Sequence, residues 1–178
     1  MTDAKKYTSR LSSTLILIIG GSSSIGFGVA EACLEHGAAV TISSSSGSKL
    51  QNAISALRSS CPSAKSRIFG HACNLNDSSP RVEYLRSLSK VGTVDHVIFI
   101  AGDYLAIHPI AEAGFQLIEK AGMVGFFAPL LVAKYAIRPL TPGPASSITL
   151  TIGLVSDRVG NKQASKLKGP IWASKQAK

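Results

Sequence analysis

Cysteine is scarce in this chain. The three that occur, Cys33, Cys61 and Cys73, form no Cys-x-x-Cys pair and have no histidine in register with them. That spacing excludes a zinc knuckle and a disulfide framework, and it predicts reduced, mostly buried thiols. Aromatic residues make up 6% of the 178 positions and do not interleave with the basic ones. The stacking platform of a nucleic-acid binder is therefore missing. Long apolar runs are lacking too: residues 15–19 and 97–101 are strand-sized, 126–133 is helix-sized, and none matches a bilayer span. The opening Met-Thr-Asp-Ala-Lys-Lys-Tyr has no apolar core of the secretory kind. These absences predict a cytoplasmic protein with neither membrane nor nucleic acid as partner.

What is present is a core-forming composition, 45% apolar, in a length that suits one domain over residues 1–178. Residues 1–13 read as an N-terminal extension. Acidic residues number 10 against 19 Lys and Arg, a net charge of +9. The excess is uneven, because Lys162, Lys166, Lys168, Lys175 and Lys178 follow one another with no acid among them. Residues 159–178 thus form a basic tail, either solvated and disordered or facing a phosphate- or carboxylate-bearing ligand.

Strand-length apolar runs alternate with segments of helical period, the pattern of a parallel sheet covered on both faces. Strands are predicted at 14–19, 39–43, 67–72, 95–101 and 147–151. Helices are predicted at 25–36, 49–59 and 80–90, with a long one between Ile110 and Ile137 that breaks near Gly122 to Gly125. Gly37 supplies a left-handed cap after the first helix, Pro62 closes the second, and Pro139, Pro142 and Pro144 enforce a loop before the last strand. Right-handed crossovers then give the strand order 3-2-1-4-5, with a ligand crevice at the carboxyl ends of the first and fourth strands. The fold class is a Rossmann-like, doubly wound α/β sheet.

The most informative stretch is Leu15-Ile-Leu-Ile-Ile-Gly-Gly-Ser-Ser-Ser-Ile-Gly26, a buried strand running through a tight Gly/Ser turn into a helix. Such a turn aims backbone N–H groups and the positive helix end at a phosphate. After the second strand come Ser43, Ser44, Ser45 and Ser46, with Lys49 close by and no acid. Hydroxyls and an amine hold a phosphate well; a plain flexible serine loop is the alternative.

Four segments together resemble the short-chain dehydrogenase/reductase family: Ile19-Gly-Gly-Ser-Ser-Ser-Ile-Gly26, Cys73-Asn-Leu-Asn-Asp77, Asp95-His-Val-Ile-Phe-Ile-Ala-Gly102 and Ser147-Ile-Thr-Leu-Thr-Ile-Gly153. The resemblance runs from Leu15 to about Arg158 and implies a dinucleotide held by Gly20, Ser22, Ser23, Ser24, Ile25, Gly26, Ser44, Ser45, Asn74, Leu75, Ala101 and Gly102. It favours NADP(H) over NAD(H), because an acid for the ribose hydroxyls is lacking. Ser24 replaces the motif's middle glycine, which implies weaker binding or a shifted loop. Asn74 stands where the family has an acid that contacts adenine. Phe99 and Ile100 replace two asparagines before Ala101-Gly102.

The family's proton-handling set is largely gone. Gly125 falls at its asparagine and Ile152 or Gly153 at its serine. Ile171-Trp-Ala-Ser-Lys175 resembles its Tyr-x-Ala-Ser-Lys segment, with Ile171 for the tyrosine and Lys175 retained. The sixth and seventh strands of the family are not found. Groups left to handle protons are Asp103, Tyr104, His108, Thr151 and Lys175; no metal site is expected. Three functions stay open: a non-redox isomerase or cyclase acting on a small organic metabolite in secondary metabolism, without need of a cofactor; an NADP(H)-dependent oxidoreductase; and an inactive binding or scaffold protein. A homodimer through the helix between Ile110 and Ile137 is the expected assembly.

Overall fold

The computed structural model describes residues 11–22, 24–76, 93–103 and 113–151. Five parallel strands, β1 (Leu15–Ile19), β2 (Ala39–Ser44), β3 (Ile68–Ala72), β4 (His96–Phe99) and β5 (Ser147–Leu150), form one sheet in the order β3-β2-β1-β4-β5. Leu17 of the central strand stands opposite Thr41 on one side and Val97 on the other. Both the order and the parallel sense are as the sequence predicts.

The unbroken apolar run of β1 follows from its place. Ile16 and Ile18 face one buried cluster, with Ala30, Leu34, Val40, Ile42 and Leu57. Leu17 and Ile19 face the other, with Val97, Phe99, Val124, Ala128 and Val132. A strand with two dry faces has no position for a polar side chain, and each full burial of Leu or Ile contributes about 1.5–3 kcal/mol.

Helix α1 (Ser24–Glu35) buries Ala30, Cys33 and Leu34 against the sheet. It ends at Gly37, whose φ of +94° is the left-handed conformation that glycine takes without strain. Arg67 then satisfies two carbonyls at that end, donating to Ala38 and, at 3.4 Å, to Leu34. Helix α2 (Gly47–Ser60) begins two residues earlier than the apolar spacing predicts, because Ser46 caps it: its hydroxyl accepts the Lys49 N–H at 3.4 Å. Pro62–Arg67 is a short 3-10 turn into β3.

After β4 come α3 (Phe115–Gly122), a π turn (Met123–Phe127) and α4 (Ala128–Ala136). This helix starts at Phe115, since Gly114 before it is extended, with φ −75° and ψ 164°; Ile110 lies outside the described residues. The expected break is a widened turn instead of an interruption. Pro129, in the first turn of α4, has no N–H for the carbonyl of Gly125 and would crowd it; the extra residue in the π turn relieves that conflict. By length and composition alone, Phe115–Ala136 is long and apolar enough to cross a bilayer. One side of it, Val124, Ala128, Val132 and Ala136, is buried on the sheet. Phe115, Ile118, Phe126, Leu130 and Ile137 are exposed.

At the amino end of the sheet, the Asp95 carboxylate accepts the Leu15 N–H and the Thr141 hydroxyl, each at 2.8 Å. This ties β1 to the loop before β5. The helix predicted at 80–90 and the tail at 159–178 lie outside the described residues.

Candidate functional site

The carboxyl ends of β1 to β4 open into a cavity of about 510 Å³, within the range of small-molecule sites. Its floor is the turn from β1 into α1. Both Gly20 N–H and Gly21 N–H donate to the Ser43 carbonyl at 3.1 Å, which fixes the turn to the end of β2. Gly20 has φ +93°, and a Cβ there would lie 2.6 Å from the Ala101 nitrogen. Any side chain at this position would force the β4 loop away. At Gly26 a Cβ would collide with the Gly20 carbonyl. Two glycines thus let the turn fold back against the first turn of α1, which contains no acid to cancel its positive end.

Ser24 keeps this geometry without being glycine. Its φ is +50°, so the serine itself takes the left-handed conformation. Ser22, Ser24 and Ile25 line the cavity, and Ile25 stays 70% exposed there.

The wall at β2 is hydroxylic. The Ser22 hydroxyl donates to the Ser44 hydroxyl at 2.9 Å, and Ser44 in turn accepts the Ser46 N–H at 3.3 Å. Ser45 and Lys49 complete this side of the lining, with no carboxylate among them. Across the crevice, Asn74 and Leu75 follow β3, while Ala101 and Gly102 follow β4. The Asn74 side-chain oxygen accepts the Asn76 N–H at 3.1 Å and so turns the loop back on itself. Backbone donors, hydroxyls and an amine around a cavity of this size fit a phosphorylated dinucleotide.

The structure therefore gathers Gly20, Ser22, Ser24, Ile25, Ser44, Ser45, Asn74, Leu75, Ala101 and Gly102 around one space, with Gly26 packed beneath them. Asp103 lines it as well, accepting from the Asn76 amide at 2.9 Å. Thr151 sits just past β5 and is not in the lining. Its N–H and its hydroxyl both donate to the Phe99 carbonyl at 3.0 Å. Ser23, Tyr104, His108 and Lys175 lie outside the described residues. Cys73, Asn76, Ile100 and Val124 also line the cavity, which the sequence reading did not foresee. Periodicity marks Cys73 and Val124 only as core, and the place of Asn76 depends on a partner 27 positions away. Among the described residues no group of His, Cys, Asp or Glu could hold a metal.

Comparisons with known proteins agree with this geometry. A family described as an SDR-like Rossmann domain matches residues 7–167. The short-chain dehydrogenase/reductase fsr5 of Gibberella fujikuroi is 41% identical over 164 residues, which is 89% of this chain and 62% of that protein. MalC of Malbranchea aurantiaca, also a short-chain dehydrogenase/reductase, is 36% identical over 78% of this chain and 54% of its own. The solved structure of the MalC reductase/Diels-Alderase superposes with a TM-score of 0.79, at 31% identity over 87% of this chain and 62% of that one. A putative short-chain dehydrogenase from Escherichia coli CFT073 complexed with NADPH shares the fold, with a TM-score of 0.77 at 19% identity over 93% of this chain and 67% of that one. The chain spans less than two thirds of the length of the curated relatives it matches.

Proposed function

The chain belongs to the short-chain dehydrogenase/reductase family, and from that premise we propose that it holds NADP(H) and catalyses a non-redox step, an isomerisation or cyclisation, on a small organic metabolite of secondary metabolism. The observation that carries this reading is a contrast between the crevice and the polar positions of the family motifs. The crevice keeps the glycine turn, a hydroxyl wall and Lys49. Where the resemblance implies polar side chains, the sequence has Phe99, Ile100, Gly125 and Ile171.

NADP(H), when bound, supplies a hydride donor or acceptor. Carbonyl reduction also needs a proton donor, and loss of a general acid typically costs about 10²–10⁴ in rate. A cyclisation needs chiefly that the reacting atoms be held together, and orientation alone is worth about 7–11 kcal/mol in favourable cases. Loss of the family's polar residues at these sequence positions favours the second kind of chemistry. MalC, a reductase/Diels-Alderase, supports a cyclising role within this family.

A second reading, an NADP(H)-dependent reductase, draws on the same hydroxyl and lysine wall. To separate the two, compounds released from the purified protein are identified by mass spectrometry, and their conversion is followed with and without NADPH. Conversion to an isomer with no NADPH oxidation supports the proposal. Stoichiometric NADPH oxidation with a product that has gained two hydrogens would replace it by the reductase. A bound partner protein and no conversion would point to the scaffold role.

The exposed stripe of Phe115, Ile118, Phe126, Leu130 and Ile137 supports a homodimer through α3 and α4. Sedimentation of the Leu130→Glu variant as a monomer, against a dimeric parent, tests it.

A further inference from the structure

We infer that the Asn76–Asp103 hydrogen bond is a strap across the nucleotide crevice that governs release of the nucleotide. The inference rests on the NADP(H) reading of the crevice and goes beyond it by assigning a task to Asn76 and Asp103 together.

The geometry is unusual for neighbours in a sheet. The order β3-β2-β1-β4 separates the strands that lead into Asn76 and Asp103 by three intervals, about 14 Å at ordinary strand spacing. Their side chains nevertheless meet at 2.9 Å, amide nitrogen to carboxylate oxygen. Such a meeting requires both loops to lean inward over the carboxyl ends of β1 and β2, where the cavity lies.

Each half of the strap is braced. On the β3 side, Leu75 is buried in the core, and the Asn74 oxygen holds the Asn76 N–H at 3.1 Å. On the β4 side, Ala101 rests against Gly20 at the foot of the glycine turn. Asn76 and Asp103 themselves are exposed and also line the cavity, so the bond sits at the mouth. On this inference a molecule lying along the β1 and β2 ends leaves past this bond.

The chemistry fits a latch. The carboxylate accepts an amide hydrogen that Asn76 cannot surrender, so the bond between them has a fixed direction. Its strength is that of a charge-assisted hydrogen bond, enough to change an opening equilibrium by about tenfold. A nucleotide retained in this way stays through many cycles, as suits a reaction that does not consume it.

The experiment is NADPH release from the full chain, followed by stopped-flow nicotinamide fluorescence, with thermal melting as a check on folding. Asn76→Asp places two carboxylates face to face and is expected to speed release about tenfold at about pH 8. The exchanged pair, Asn76→Asp with Asp103→Asn, restores a carboxylate opposite an amide and is expected to release within about twofold of the parent. Parent-like release in Asn76→Asp, or failure of the exchange to rescue it, would overturn the strap while leaving the nucleotide reading intact. Absence of NADPH binding by the parent would overturn both.

Discussion

Replacing Ser24 by glycine is the most discriminating perturbation of the nucleotide turn, because two opposed effects of known size decide its sign. Ser24 holds φ +50° at the start of α1, a conformation that costs a residue with a Cβ about 1–2 kcal/mol. Glycine removes that cost, but it also frees the unfolded chain, which offsets about 0.4–1 kcal/mol. The net is a stabilisation of about 0.5–1 kcal/mol. In a chain of this length it corresponds to a melting temperature higher by about 1–4 °C. Differential scanning calorimetry reads the shift, with Ser24→Ala as control, since alanine keeps the Cβ and gains nothing. Ser24→Val should lie below the parent, because a branched side chain tolerates the left-handed region worst. If Ser24→Gly melts lower than the parent, the turn is held by the hydroxyl and not burdened by the backbone, and the account of this loop is wrong.

Asp95→Ala removes the acceptor for both Leu15 N–H and the Thr141 hydroxyl and should lower stability by about 2–3 kcal/mol, read as a shifted urea midpoint at unchanged slope. Arg67→Met, which frees the Leu34 and Ala38 carbonyls at the end of α1, should cost about 1–2 kcal/mol in the same assay. Burial pushes the Cys33 thiol above its ordinary value, so the folded state disfavours the thiolate. The associated stability is complete below the unfolded thiol's pKa and declines as pH rises through it. Urea midpoints measured across about pH 7–10 should show that decline, and Cys33→Ala should flatten it.

Much of this fold is legible because β1 and β4 are apolar on both faces and the helices between strands keep one apolar side, so periodicity alone orders the sheet. Boundaries are less so. Serine disfavours neither strand nor cap, and nothing local says that Ser44 ends β2 while Ser46 opens α2. The π turn is a contest between Pro129 and the carbonyl of Gly125; the glycines at 122 and 125 locate it, but a break and a widened turn leave the same trace in sequence. At the site, the turn residues from Gly20 to Gly26 are readable because backbone geometry dictates glycine. Asn76 is not, since its meaning comes from Asp103 on another strand's loop. Thr151 is a candidate by its place at a strand end, and its hydroxyl also completes the β4 to β5 connection at the Phe99 carbonyl, a use visible only once the strands are paired.

On the proposed function, the wall formed by Ser22, Ser44, Ser45 and Lys49 reads a phosphorylated dinucleotide. Dissociation constants for NADPH and NADH, measured on the full chain by titration calorimetry with and without the Lys49→Ala substitution, test it most directly. The account predicts NADPH bound about tenfold or more tightly than NADH, with Lys49→Ala erasing most of the difference. Equal affinities, or a preference for NADH that survives the substitution, would contradict it.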